Sequence, residues 1–455
     1  MENAMNKIIM QLIGTLLVAI SLIACNSHGQ KDTIRRSDSL NSYKNRAFFG
    51  VVDSTLTKKY PFIHFERNHY KFYTENSANF EKLYYDFQQM IKHKDRKLNF
   101  YHIGGSHLQA DIYTHEMRTY LQTNWPGLIG ERGLVFPFDL AKTNNPWNYE
   151  FSSPNAWKSY RSPVDRPDSV DYGILGAVVE CPDSAIQISF KYDKTKVKPG
   201  FDRLRIYHNK GDFPYALHFG ADEILVLRKQ TNTEVGYTDV YFTDELTSFS
   251  ANFSRDTIAP YTMRILGFQL SNKEPGISYN TIGVNGAGLY TYLGNKYFEE
   301  QLKEFPPDFF AFSVGTNDAN TTYANFRPEV FRANLDSVLQ IVMRANPNCA
   351  ILLTVPNDAF YKKKYLNKNV AREREMIIQL AKKYEAAVWD FYGIMGELGS
   401  AKTWTRAGLM RTDLVHFTAD GYRLKGNMFY ESFLKWLEQM ELRQQQQNQK
   451  VNGSN

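Results

Sequence analysis

Ser106 lies in Gly104-Gly105-Ser106-His107, directly after a short apolar run, and Asp413 and His416 stand three residues apart near the C-terminus. A serine hydroxyl is a poor nucleophile until a base takes its proton, and histidine is the side chain whose pKa suits that work. The base needs its second ring nitrogen held by a carboxylate, which fixes the tautomer. The Asp413-Leu-Val-His416 spacing lets the carboxylate reach Nδ1 while Nε2 faces Ser106. Alone, the same four residues also read as a turn ahead of a helix, with Thr418 as its cap.

Two further pieces lie between them, Gly283-Val-Asn-Gly286 and Gly315-Thr-Asn317-Asp318, each again following an apolar run. Acyl transfer develops negative charge on an oxygen, and donors aimed at that oxygen are worth ~10²–10³ in rate each. The Asn317 side-chain amide and a backbone N–H at Gly286 are donors of that kind, and a side chain at 286 would obstruct the oxyanion. A phosphate cradle is the rival for the glycine-rich run. Its spacing is not Gly-x-Gly-x-x-Gly, however, and no Lys-Ser/Thr follows it. The residue two after Ser106 is Leu108, not the glycine of a Gly-x-Ser-x-Gly elbow. No His-Glu-x-x-His or clustered ligand spacing is present, so the chemistry calls for no metal and no cofactor.

These pieces must be positioned by elements. Leu98–Ile103, Ile277–Val284, Phe309–Val314, Ala350–Val355 and Ala387–Phe391 read as buried strands, with helical periodicity between them. Strands alternating with helices predict a parallel sheet covered on both faces, with reactive residues in loops at the carboxyl ends of strands. Tyr422, Phe429, Phe433 and Trp436 share one stripe of a final helix. Residues 145–272 break the alternation with several short strands and no helix, which predicts an inserted β-sandwich. The hydrolase-like domain is therefore expected in two parts, 47–144 and 273–440, with 441–455 as a disordered polar tail.

Lys7 followed by the apolar stretch Ile8–Ala24 reads as a signal peptide over 1–24, and 25–46 as a flexible polar tether. Leu22-Ile-Ala-Cys25 resembles a bacterial lipobox, which implies acylation of Cys25 and anchoring to a bacterial membrane in the cell envelope. Cys181 and Cys349 are expected as buried free thiols. The 455 residues carry 54 Lys and Arg against 48 Asp and Glu, a net +6 read as spread without basic blocks, which gives no support to a nucleic-acid partner.

In order and context the four pieces resemble the blocks of the SGNH (GDSL-like) hydrolase superfamily. The resemblance implies a flavodoxin-like α/β/α domain, with Ser106 as nucleophile, His416 as base and Asp413 as its orienter. It also implies an oxyanion hole made by the Ser106 amide, the Gly286 amide and the Asn317 side chain. One departure is plain, since Gly105 stands where the family carries aspartate. His107 after the nucleophile and a β-rich insert resemble members that remove O-acetyl groups from peptidoglycan and other glycans. His107, Trp404 and Arg406 are candidate substrate-binding residues, and Trp147, Tyr149 and Trp157 a candidate sugar platform. The expected function is a lipid-anchored serine esterase for an acylated glycan or other ester. An O-acyltransferase, a lipase or thioesterase, and a non-catalytic glycan-binding lipoprotein are the alternatives.

Overall fold

The computed structural model describes residues 54–75, 77–256 and 260–452, the last few without side-chain detail. The signal peptide, Cys25 and the tether all lie outside the described residues. Five strands form the parallel sheet: β1 (Lys97–Gly104), β2 (Gly276–Gly283), β3 (Phe309–Ser313), β4 (Ala350–Val355) and β5 (Ala387–Asp390). Their order is β2-β1-β3-β4-β5, the doubly wound order of flavodoxin-like sheets, and the chain direction of winding reverses beside β1.

Alternation along β1 decides what each face meets. Phe100 and His102 point to one side, where they contact Phe433 and Phe429 of the last helix. Tyr101 and Ile103 point to the other, where Tyr101 stacks on Phe310 within the core shared with helix α4 (Pro328–Ala345). Helix α1 (Ala78–His93) joins the first layer by setting Phe80 against Phe309 and Phe87 against Phe433. The segment after β1 forms two helices, α2 (Ser106–Gln109) and α3 (Tyr113–Thr123). Between them Asp111 adopts φ +48, which an α-helix cannot continue through. Helix α5 (Asn369–Lys383) packs beside α4.

Residues from Gly133 to Ser271 form two antiparallel sheets of seven and four strands. Phe151 stacks on Phe268 at 5.0 Å, and Phe219 meets Phe242 edge-on, so the sheets close on each other as an aromatic-cored sandwich. The strand Gly133–Val135 lies upstream of the expected boundary and pairs with Met263–Ser271. Three residues are too few to show a period. Cys181 and Cys349 are buried free thiols.

The polar tail corrects its expectation. Helix α6 runs Ala419–Asn452, straight through the glutamine run. Its first half is fixed by buried Phe429, Phe433, Trp436 and Leu437. Gln, Arg, Lys and Glu are good helix formers, and extending a packed helix carries no nucleation cost.

Candidate active site

Register brings the first three blocks together. Gly104 pairs with Gly283 on one side and Ser313 on the other, so the loops after β1, β2 and β3 emerge side by side. Gly104 has no room for a side chain, because a Cβ there would sit 2.7 Å from the Ser313 carbonyl and 2.8 Å from Leu108. The chain therefore turns tightly into α2, and Ser106 opens that helix with a backbone N–H that has no partner within it.

Ser106 Oγ lies 2.8 Å from His416 Nε2, and His416 Nδ1 lies 2.9 Å from Asp413 Oδ2. The other carboxylate oxygen, Oδ1, accepts the backbone N–H groups of Val415 and His416 at 3.0 and 2.9 Å. Burial alone would raise the Asp413 pKa, but those two amides and the His416 ring outweigh it and hold the carboxyl below its usual range. Asp413 is therefore an ionised acceptor that fixes the Nδ1–H tautomer and leaves Nε2 to take a proton. Leu414, inside this loop, sits at φ +57, a conformation that a leucine rarely adopts. Its N–H donates to the Arg411 carbonyl, and its own carbonyl accepts from the Phe360 N–H at 3.0 Å, which pins the turn.

Gly286 is exposed at φ +86, and a Cβ there would meet nothing nearer than Pro163 at 3.6 Å. Glycine is thus required by the backbone angle more than by crowding. Asn317 donates one amide hydrogen to the Ala287 carbonyl at 2.8 Å, which leaves the second for a ligand. At Gly105 a Cβ would lie 2.9 Å from Asn317 Nδ2 and 3.1 Å from the Ala287 carbonyl. Position 105 therefore has little room for the aspartate that the resemblance leads one to expect.

Two residues of the site carried no signal that the spacing could reveal. Gln109, one turn after Ser106, accepts the Asn285 N–H at 2.7 Å and donates to the Asn144 carbonyl at 2.8 Å. It ties the loop bearing Gly286 to both the serine helix and the segment leading into the insert. Asp318 accepts the Leu289 N–H at 3.1 Å and so fixes the far end of the Gly286 loop. Burial pushes its carboxyl up to about 6. Its position in the asparagine block was visible, but not its partner.

Several expected substrate contacts fall elsewhere. His107 is buried behind His416, with ring centroids 5.2 Å apart, and its Nδ1 pairs with Tyr422 Oη at 2.9 Å. Burial, then Lys425 and His416, keep its pKa well below the ordinary value, so it is a neutral support for the base. Trp404 is fully buried, donates to the Met395 carbonyl and packs on Phe391 and Phe417, which makes it core. Arg406 is exposed on the helix Ser400–Arg406. Tyr149 and Trp157 are buried, and Trp147 packs against His115, so the three form no open sugar platform. Each is an aromatic whose exposure depends on residues distant in sequence.

Behind the base lies Lys425, buried with its ammonium 4.4 Å from the Phe391 ring centroid, 4.8 Å from Tyr113 and 5.5 Å from Phe417. Burial lowers its pKa to about 7. Among the described residues no group of three or more His, Cys, Asp or Glu side chains is placed to hold a metal ion.

Residues 248–424 match the family model of the GDSL-like Lipase/Acylhydrolase family. The match opens in the last strands of the insert and so leaves out the block with Ser106. No curated protein matches the chain. Among solved structures, a peptidoglycan O-acetylesterase aligns at TM-score 0.69 and 18% identity, over 81% of this chain and 99% of its own. A lipase/acylhydrolase from Enterococcus faecalis aligns at TM-score 0.28 and 18% identity, over 35% of this chain and 77% of its own. An acetyl xylan esterase aligns at TM-score 0.29 and 18% identity, over 34% and 81%. Residues 248–424 thus carry the pattern of the GDSL-like lipase/acylhydrolase family, and over most of its length the chain has the fold of a solved esterase.

Proposed function

We propose that the protein removes O-acetyl groups from a cell-envelope or polysaccharide glycan, with Ser106 as nucleophile, His416 as base and Asp413 as its orienter. The reading rests on the unbroken hydrogen-bond chain from Ser106 Oγ through His416 to Asp413, beside the Gly286 and Asn317 loops. Ser106 Oγ attacks the ester carbonyl carbon while its proton passes to His416 Nε2. The carbonyl oxygen becomes an anion held by the amides of Ser106 and Gly286 and by the free Asn317 hydrogen. As the carbon–oxygen bond to the sugar breaks, His416 returns the proton to the leaving hydroxyl. Water, deprotonated by the same nitrogen, then attacks the acyl-serine and releases acetate.

An acetylated glycan is favoured because the fold likeness to the peptidoglycan O-acetylesterase covers 81% of the chain, more than the residues outside the insert could supply. The lipobox-like Cys25 and the signal-like stretch before it favour a lipid anchor at a bacterial envelope. Ser106→Ala and His416→Ala should each abolish hydrolysis of a small aryl acetate while keeping the wild-type melting temperature to within a few degrees. Ser106→Ala should also lose covalent labelling by a fluorophosphonate. Full activity in either variant would sink the assignment. Acetate release from O-acetylated glycan, set against acyl transfer to added glycan, separates hydrolysis from transfer.

A further inference from the structure

The chain's excess positive charge is gathered on one flank of the candidate active site. Segments 359–370 and 398–412 contain no carboxylate. The first carries Lys362, Lys363, Lys364 and Lys368, and the second carries Lys402, Arg406 and Arg411. Without these seven, the chain has 47 Lys and Arg against 48 Asp and Glu, so the whole net charge of +6 resides here. All seven are exposed. The carboxylates at the borders are otherwise engaged. Asp358 is buried and accepts the N–H groups of Gly399 and Ala401, Glu397 pairs with Arg374 and Arg67, and Asp413 holds His416. Asp420 pairs with Arg423. The run Lys362-Lys363-Lys364 corrects the reading of a charge spread without basic blocks, and folding adds the second segment to it.

The two segments form one surface attached to the triad loop. Lys402 Nζ sits 5.2 Å over the Phe360 ring, and the Phe360 N–H is the donor that pins Leu414. Asn357 donates to the Val415 carbonyl at 3.2 Å, and the Arg411 N–H to the His416 carbonyl at 2.8 Å. Phe360–Tyr361 and Tyr365–Leu366 pair as a hairpin whose tip places Lys362 at φ 51 and Lys363 at φ 58. Two left-handed residues in succession make a type I′ turn, where Asn-Gly is favoured and lysine is not. A strained tip that retains two lysines points to a use for their side chains. The lysines also lean on aromatic faces, with Lys362 5.4 Å from the Tyr361 ring centroid and Lys364 5.3 Å from Tyr365, which is itself half exposed. An aromatic face beside an ammonium suits a pyranose ring that bears a carboxylate.

We propose that this surface binds an anionic glycan, its carboxylates on the lysine hairpin and its ester held at Ser106; the role in substrate delivery rests on the esterase reading above. Seven exposed cations without a carboxylate between them raise the local concentration of a polyanion and make its binding salt-dependent. Uronic acids in the glycan and peptides attached to it both supply such carboxylates, and the probe tells the two sources apart.

The test uses the full protein with Ser106→Ala, so that the polymer is bound and not consumed, in gels containing polygalacturonate, purified peptidoglycan fragments or neutral xylan. Mobility should fall in at least one acidic gel, less so as salt is raised, and not in xylan. Lys362→Asn with Lys363→Gly and Lys364→Ser keeps the turn and removes its charge, and should weaken that retardation roughly tenfold. In the active protein the same triple variant should lose about tenfold more kcat/KM on the acetylated acidic polymer than on a neutral aryl acetate. Retardation equal in xylan, retardation unchanged by the triple variant, or retardation by anionic vesicles or DNA but by neither acidic glycan would overturn the proposal. A wild-type protein that neither hydrolyses aryl acetate nor takes a fluorophosphonate would overturn the esterase reading instead, while the gel result would stand.

Discussion

At Gly105, where the sequence resemblance leads one to expect aspartate, the surroundings leave no room for a side chain. The Asn317 amide and the Ala287 carbonyl occupy the space a side chain would need. Introducing aspartate with Gly105→Asp should therefore impair the enzyme. A carboxylate forced into that gap displaces Asn317, and loss of one oxyanion donor lowers kcat by about 10²–10³. The far-ultraviolet spectrum should stay unchanged, and kcat on an aryl acetate is the measurement. Activity at the wild-type level would mean that Asn317 is not the donor proposed. At this scale Ser106, Gly286 and Asn317 were readable because each of their blocks follows an apolar run that ends abruptly, and Asp413 and His416 because they stand three apart. His107 and Trp404 were not, since both occur in plausible loops and only Tyr422, Phe391 and Phe417 reveal that they are enclosed.

Helix α6 supplies both the floor of the base and an unusual cost. Lys425 has no carboxylate partner among the described residues and relies on the aromatic rings around it, each such contact contributing about 0.5–2 kcal/mol. Its pKa near 7 in the folded state lies below the unfolded value of roughly 10.4. Between those two values the unfolded chain holds the proton and the folded chain does not, so wild-type stability gains as pH rises through that window. Lys425→Met should thus be more stable than wild type at pH 7, by about 1–3 kcal/mol. The gap should close as pH approaches 10, as read from urea midpoints. A gap that does not change with pH would show that the ammonium stays charged throughout. The five parallel strands and the apolar stripe of α6 were legible from periodicity. The helical tail was not, because a run of glutamines carries high propensity without any period, and the packed residues before it decide its state.

At the scale of the molecule, Gln109 is one of the side chains that join the approach to the insert to the chemistry. Gln109 bonds the Gly286 loop at one end and Asn144, on the approach to the sandwich, at the other. Gln109→Leu removes both bonds at nearly constant volume. It should lower kcat roughly tenfold with little change in KM for an aryl acetate, because the Gly286 donor loses its fixed position. A change confined to KM would place Gln109 in substrate binding instead. The existence of an all-β insertion was legible from its density of short strands. Its true edge, and the placing of the Lys362–Lys368 run beside the triad loop, depend on pairings between distant segments that no local pattern reports.

Strand β1 leads into the serine but is flanked on both sides by strands that come after the insert, and the histidine arrives only just before the last helix. A ribosome must therefore finish almost the whole chain before any copy can cut an ester. Products that end before His416 lack the proposed base and should be chemically silent, whatever else they bind. A hydrolase built this way needs no inhibitor while it is being made.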